Sequence, residues 1–201
     1  MWRREVGALS DVMDAIGGLA VDRGPGPGWE PLEDPLYLVC TNGRHDQCCA
    51  NRGRPVVRAL RDSPWASRVW ECSHVGGDRF AANVVTLPHS LYFGRVEPEH
   101  ATDLARRVDA GRLDLEHFRG RTTYTPAEQA VEHFVRAEFG IDGIDAVIVD
   151  GRVGDGEYPV RVDGRALRVR IARRLVSVTE PLTCAGRPGQ LVPEFHLVSI
   201  T

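Results

Sequence analysis

The chain contains no lysine, and all 25 of its basic residues are arginines. Its net charge is −3, so it has no general excess of positive charge that would attract nucleic acid or an anionic membrane surface. No apolar run approaches the roughly 20 residues that a membrane-spanning helix needs. We therefore expect a protein that binds neither nucleic acid nor a membrane.

The N-terminal segment lacks the features of a secretory signal peptide, because Asp11 and Asp14 interrupt its apolar stretch. We therefore expect a cytoplasmic protein. The chain has only five cysteines, an odd number. In a reducing compartment they are expected to be free, bound to metal or catalytic, and not to form a disulfide framework.

The order of predicted elements indicates an α/β fold. Apolar spacing predicts a helix over residues 1–20, and the Pro/Gly-rich residues 23–35 read as a linker. The next elements are a strand, a helix, three strands and a helix, at 36–40, 51–62, 67–73, 83–87, 91–96 and 97–111. This order predicts a small sandwich of the thioredoxin type.

A second region follows this sandwich. The sequence TPAEQAVEHFVRAEFG predicts a helix that Thr125 caps, with Glu128 completing a capping box and Gly140 ending the helix. Four segments with strand character follow it. We therefore divide the chain into an N-terminal helix and linker (1–35), a thioredoxin-like domain (36–120) and a C-terminal α+β extension (121–201).

Cysteine and histidine residues cluster where two predicted strands end. Cys40 ends the first strand, Cys48 and Cys49 lie in the following loop, Cys72 lies near the end of the second strand, and His74 begins the loop after it. If these strands are parallel neighbours, their carboxyl ends meet at one edge of the sheet, where α/β proteins place their sites. The pattern indicates a metal or redox site at that edge.

Two simpler chemistries have weaker support. A dithiol enzyme of the thioredoxin type needs a C-x-x-C motif at the start of its first helix, whereas this loop offers the adjacent pair Cys48–Cys49. A structural zinc site usually uses cysteines two to four residues apart, and Cys40 and Cys49 are farther apart. A thiol redox enzyme and a zinc-stabilised interaction module remain the alternative hypotheses.

The segment CTNGRHDQCC, followed by SHVGGDRFAANVVTLPHSLYFGRV, resembles the sucrase/ferredoxin-like family, a branch of the thioredoxin-like ferredoxins. The two motifs cover about residues 36–111, and TTYTPAEQAVEHFVRAEFG is similar to a later part of that family. The resemblance implies an electron carrier with one 2Fe-2S cluster, not an enzyme. It also implies a redox partner protein, either a reductase or an electron acceptor, and a homodimer is one state that the sequence allows.

The resemblance also implies a ligand set. Cys40 and Cys49 match the family's first ligand pair, and His74 matches the third ligand. The fourth position, usually histidine in an H-x-G-G-H motif, is Asp78 here. Because iron in such clusters prefers thiolate or imidazole, we favour Cys72, which shares a side of an extended strand with His74. Asp78 is the alternative fourth ligand.

Other residues near these loops have supporting roles in this interpretation. Arg44 and Arg79, together with Arg52, could offset the negative charge of a thiolate-ligated cluster. Gly76 and Gly77 would let the backbone approach it and donate N–H groups.

The remaining sulfur and imidazole groups have less definite assignments. Cys48 is either a spare thiol near the cluster or an alternate ligand. Cys184 is expected to be a small core residue and not a ligand, and His45 is expected to lie in a surface loop.

Overall fold

The computed structural model describes residues 2–3, 5, 7–8, 11, 27–44, 47–183 and 186–201. The chain forms two units, Met1–Pro35 and Leu36–Thr201. In the first unit, β1 (Trp2–Arg3) pairs antiparallel with β2 (Glu30–Pro31). The helix predicted over residues 1–20 lies mostly outside the described residues, and its described start is a strand.

The second unit contains a five-stranded sheet. Its strands are β3 (Leu36–Cys40), β4 (Val69–Cys72), β5 (Val84–Leu87), β6 (Leu91–Phe93) and β7 (Phe118–Arg121). Their order is β4-β3-β5-β6-β7. β3 and β4 are parallel, and the other neighbours are antiparallel. This is a thioredoxin-like sandwich, which confirms the predicted fold class.

Two helices pack on this sheet, α1 (Gln47–Arg61) and α2 (Pro98–Asp109). Their apolar faces join the inward side chains of β3, β5 and β6 in one core, which includes Tyr37, Val56, Leu60, Phe93 and Leu104. The core forms because these side chains recur at helical spacing on the helices and at alternate positions on the strands.

The prediction that α1 begins at residue 51 was wrong, since the helix starts at Gln47. Cys49, Gly53, Val56 and Leu60 are buried at helical spacing, so the apolar face includes the thiol. Pro55 therefore lies inside the helix and not in its first turn. As a consequence, Cys48 and Cys49 are helical residues and not loop residues.

A third helix, α3 (Pro126–Phe139), has the predicted capping box between Thr125 and Glu128 and ends at Gly140 in a left-handed conformation. It packs against an antiparallel sheet of order β11-β10-β9-β8. These strands are β8 (Val147–Val149), β9 (Glu157–Val162), β10 (Arg165–Ser177) and β11 (Leu191–Ile200). The structure thus confirms the predicted C-terminal helix and β-rich extension. The domain boundary at residue 120 stays a prediction.

Within the described residues, none of the helices is both long enough and apolar enough to span a membrane.

Candidate metal centre

Two cysteines lie side by side where β3 and β4 end. Cys40 and Cys72 are direct partners in the parallel register, and the N–H of Thr41 donates to the carbonyl of Cys72 at 3.3 Å. Cys40 is fully buried and Cys72 is partly buried. The predicted meeting of the two strand ends is therefore confirmed.

The helix α1 brings a third cysteine to this edge. Cys49 is 1% exposed, and its side chain packs with that of Cys40 in one buried cluster. The approach depends on Gly53, because a Cβ at that position would lie 2.2 Å from the carbonyl oxygen of Cys40. The glycine therefore lets α1 pack directly on the end of β3.

Asp78 links the cysteines to the predicted imidazole ligand. It begins a short 3₁₀ turn, Asp78–Phe80, and its side chain is 3% exposed. Its Oδ1 accepts a hydrogen bond from Cys49 Sγ at 3.4 Å and lies 3.1 Å from His74 Nδ1. The structure thus places the alternative fourth ligand, Asp78, between two of the predicted ligands.

Burial governs the protonation of these thiols. It raises the pKa of Cys49, and the neighbouring Cys40 and Asp78 raise it further. Burial also raises the pKa of Cys72 to about 11, with a smaller contribution from Cys40. Both thiols are therefore neutral at pH 7, because burial disfavours the charged thiolate.

Two polar residues that the sequence did not single out hold the loop between His74 and Asp78. Asn83 Nδ2 donates to the carbonyl of Gly77 at 3.0 Å, and the Asn83 carbonyl accepts the N–H of Cys40 at 3.0 Å. The hydroxyl of Tyr92 donates to the carbonyl of Gly76. Asn83 belongs to the RFAAN segment and Tyr92 to the YFGRV segment of the second sequence motif, although no supporting role was predicted for either.

The two glycines of this loop have positive φ angles, +83° at Gly76 and +72° at Gly77. A Cβ at Gly77 would also lie 2.6 Å from Arg119 Nη1, whereas a Cβ at Gly76 would meet nothing within 4 Å. Gly77 is thus required both by its own backbone conformation and by a neighbouring guanidinium group. Whether either glycine donates N–H groups to a cluster stays a prediction.

The predicted flanking arginines lie at the surface. Arg79 is exposed and stacks on Phe80, with its Cζ 4.5 Å from the ring centroid. Arg44 is also exposed, and its backbone N–H donates to Asn42 Oδ1 at 3.2 Å. Arg52 donates from Nη1 to the carbonyl of Ala81 at 3.3 Å.

A cavity of about 340 Å³ opens beside these residues. Its lining comes from α1, the 3₁₀ turn and the connection between β10 and β11, and comprises Cys48, Arg52, Asp78, Arg79, Glu180, Pro181 and Thr183. The C-terminal extension therefore reaches the site, which the sequence did not predict. His45 and Cys184 lie outside the described residues.

Across the described ranges, no three or more His, Cys, Asp and Glu side chains are already arranged to hold a metal ion. The donors nevertheless meet in pairs, and the free thiols of Cys40, Cys49 and Cys72 belong to one apolar cluster with Ala81 and Val75. Cys48 packs against the same cluster but is disulfide-bonded, so the prediction of a spare thiol or alternate ligand at this position was wrong. Thiols and an imidazole are the donors that iron–sulfur groups use. The chemistry of the donor set therefore fits such a group.

The chain belongs to the sucrase/ferredoxin-like family, whose model matches residues 7–120. Two curated relatives are both named Altered inheritance of mitochondria protein 32. The one from Candida glabrata is 25% identical over 105 residues, which cover 45% of this chain and 34% of the relative. The one from Meyerozyma guilliermondii is 30% identical over 101 residues, which cover 45% and 36%. The matched part thus spans about a third of each relative's length.

A similar solved structure is a thioredoxin-like [2Fe-2S] ferredoxin from Aquifex aeolicus. It has a TM-score of 0.40 and 18% identity, and the match covers 46% of this chain and 96% of that chain. A structure of the wild-type ferredoxin at 1.5 Å has a TM-score of 0.38 and 16% identity, with 45% and 100% covered.

Proposed function

We propose that this protein is an electron carrier that holds one 2Fe-2S group on Cys40, Cys49 and His74, with Cys72 or Asp78 as the fourth ligand. The observation that carries the proposal is the packing of Cys40 and Cys49 in one cluster, as two buried thiols from a strand end and a helix start. Membership of a ferredoxin-like family supports the same assignment.

The bound group would supply one-electron chemistry. The chain supplies the donors and their surroundings. Ala81 and Val75 pack around the thiols and keep water away from them. Asn83 and Tyr92 fix the carbonyls of Gly77 and Gly76, so they hold in place the loop that presents His74 and Asp78.

A thiol redox enzyme has less support than an electron carrier. A nucleophilic cysteine needs a lowered pKa, whereas burial raises the pKa of both Cys49 and Cys72. A redox partner protein, a homodimer and a cytoplasmic location stay predictions.

Anaerobic purification followed by assays of iron, acid-labile sulfide and zinc tests the proposal. We expect about two iron and two sulfide per chain and visible absorption between about 320 and 600 nm. Cys40→Ser and Cys49→Ser should each abolish loading, because they remove the buried thiols. A colourless protein with one zinc per chain would support the interaction module instead.

The fourth ligand is identified by two further variants. Cys72→Ser and Asp78→Asn each remove one candidate, and the variant that loses iron identifies the ligand. Asp62→Asn, at an exposed position just after α1, is the matched control for Asp78→Asn and should keep full loading. Full loading of both candidate variants would contradict this ligand set.

A further inference from the structure

Three guanidinium groups surround the ring of Phe80. The Cζ atoms of Arg119, Arg79 and Arg95 lie 3.7, 4.5 and 5.3 Å from the ring centroid. Within the part of the chain that the structure describes, no carboxylate forms an ion pair with any of the three. The cluster therefore concentrates positive charge that the neighbouring side chains do not neutralise.

Arg119 is the most enclosed of the three. Its Nη1 atom is buried and has no hydrogen-bond partner among the described residues. Burial lowers the pKa of Arg119, although Tyr92 partly offsets this effect. Stacking on Phe80 and on Tyr92, whose centroid lies 4.9 Å away, recovers some energy. A partly buried guanidinium whose buried Nη1 has no hydrogen-bond partner among the described residues still costs free energy.

This guanidinium lies directly against the loop of the candidate metal centre. A Cβ at Gly77 would be 2.6 Å from Arg119 Nη1, and Gly77 immediately precedes Asp78. Tyr92, which Arg119 contacts, donates its hydroxyl to the carbonyl of Gly76. Arg119 thus packs against the loop that carries His74 and Asp78, both directly and through Tyr92.

We propose that Arg119 is a positioning residue whose partly buried positive charge offsets the negative charge gathered at the thiol site. The inference rests on the proposed function, because thiolates binding a 2Fe-2S group supply the missing counter-charge. A nearby positive charge favours the more negative, reduced state. Arg119 therefore raises the reduction potential, while Arg79 and Arg95 add smaller contributions from the exposed side of Phe80.

The test compares Arg119→Met, Arg119→Lys and the parent protein after anaerobic purification. Iron and sulfide are assayed first, and the midpoint potential is then measured by voltammetry. Arg119→Met should load iron and shift the oxidised-to-reduced ratio about tenfold toward the oxidised form, which is about 59 mV for one electron. Arg119→Lys should stay close to the parent, because it keeps the charge.

Arg106→Met, on the exposed face of α2, is the control for loss of one arginine and should leave the potential unchanged. Circular dichroism of the metal-free proteins checks the fold. If Arg119→Met does not fold, the midpoint potential of Arg95→Gln is measured instead. We expect it to fall below that of the parent protein, by less than the fall predicted for Arg119→Met.

The outcomes separate this inference from the proposed function. A loaded Arg119→Met protein with the parent's potential overturns the role of Arg119 and leaves the electron carrier intact. Equal shifts in the Met and Lys variants also overturn it, since charge is then not the cause. A parent protein without iron and sulfide overturns the proposed function, and this inference with it.

Discussion

Single side chains bind separate segments of this fold together, and Asp109 is the clearest case. Its carboxylate accepts hydrogen bonds from Tyr37 Oη at 2.8 Å, Trp65 Nε1 at 2.8 Å and Arg68 Nη1 at 3.1 Å. Burial alone would raise the pKa of Asp109, but the hydrogen bonds from the three donors outweigh it and lower the pKa. The end of α2 is thereby tied to β3 and to the turn before β4.

Replacing Asp109 by asparagine should lower the free energy of unfolding by roughly 1–3 kcal/mol at pH 7, because the buried hydroxyl of Tyr37 and two partly buried donors lose a charged acceptor. The folded-state pKa of Asp109 is lowered, so its contribution is fully present at neutral pH. That contribution declines as the pH falls below the ordinary value of 3.8 toward the folded value. Urea unfolding at pH 7 and pH 3 measures both effects.

The control for this prediction is Asp103→Asn on the same helix. The side chain of Asp103 is 46% exposed and pairs with Arg106 and Arg107, so its loss should change stability by less than about 1 kcal/mol. Equal effects of Asp109→Asn at the two pH values would contradict the assigned role of the carboxylate.

At the scale of elements, the contact of α1 with β3 depends on a glycine in the middle of a helix. Replacing such a glycine by alanine usually adds about 0.5–1 kcal/mol of stability. At Gly53 the added Cβ would lie 2.2 Å from the Cys40 carbonyl oxygen. Backbone atoms cannot move aside as a flexible side chain can, so α1 itself would have to move.

Gly53→Ala should therefore destabilise the protein by about 1–3 kcal/mol and lower its iron content, because Cys49 moves away from Cys40. Urea unfolding and an iron assay measure the two effects. Asn51→Ala, at an exposed position of the same helix, is the control and should be neutral or slightly stabilising. A more stable Gly53→Ala protein would contradict this prediction, because it would show that α1 and β3 can accommodate the added Cβ.

The same elements show what the sequence could and could not predict. The parallel strands that end at Cys40 and Cys72 were predictable, because apolar runs and cysteines mark them. The start of α1 was missed because Cys49 was read as a loop residue, although it continues the helix's apolar spacing. β7 was not predicted, since its sequence FRGR lacks the β-branched residues that favour strands.

The candidate site was also predictable only in part. Its sulfur and imidazole groups are chemically distinctive, so the sequence alone indicated them. Long-range packing between strands places Asn83, Tyr92 and Arg119 beside the site, and contacts between such distant segments cannot be predicted from a local sequence pattern. Asp78 was predicted as an alternative ligand, and only the structure shows that it contacts both Cys49 and His74.

At the scale of the whole molecule, a buried ion pair links the two sheets of the second unit. Glu132 on α3 is fully buried, and its Oε1 accepts from Arg136 Nη2 at 2.9 Å and from Arg121 Nε at 3.3 Å. Arg121 belongs to β7. Arg136 also donates to the carbonyls of Gly143 and Ile144, which lead into β8.

Arg136→Met should lower the free energy of unfolding by about 3–5 kcal/mol, because it leaves a buried carboxylate poorly paired. The double variant with Glu132→Gln should recover part of this loss, since the unpaired charge is gone. Urea unfolding measures both. Arg174→Met, which breaks an exposed pair with Glu194, is the control and should cost less than about 1 kcal/mol. If Arg136→Met and Arg174→Met lowered the free energy of unfolding by similar amounts, the buried ion pair would not stabilise the contact between the two sheets.

One exposed tryptophan lies close enough in sequence to the candidate site for its fluorescence to report on the site. Trp70 lies on β4 two residues before Cys72, and it is 58% exposed. A metal group that absorbs near-ultraviolet light beside Cys72 would quench the fluorescence of this indole by energy transfer. Occupancy could thus be followed in real time from intrinsic emission, without a dye, in a chain that has no lysine side chain to label.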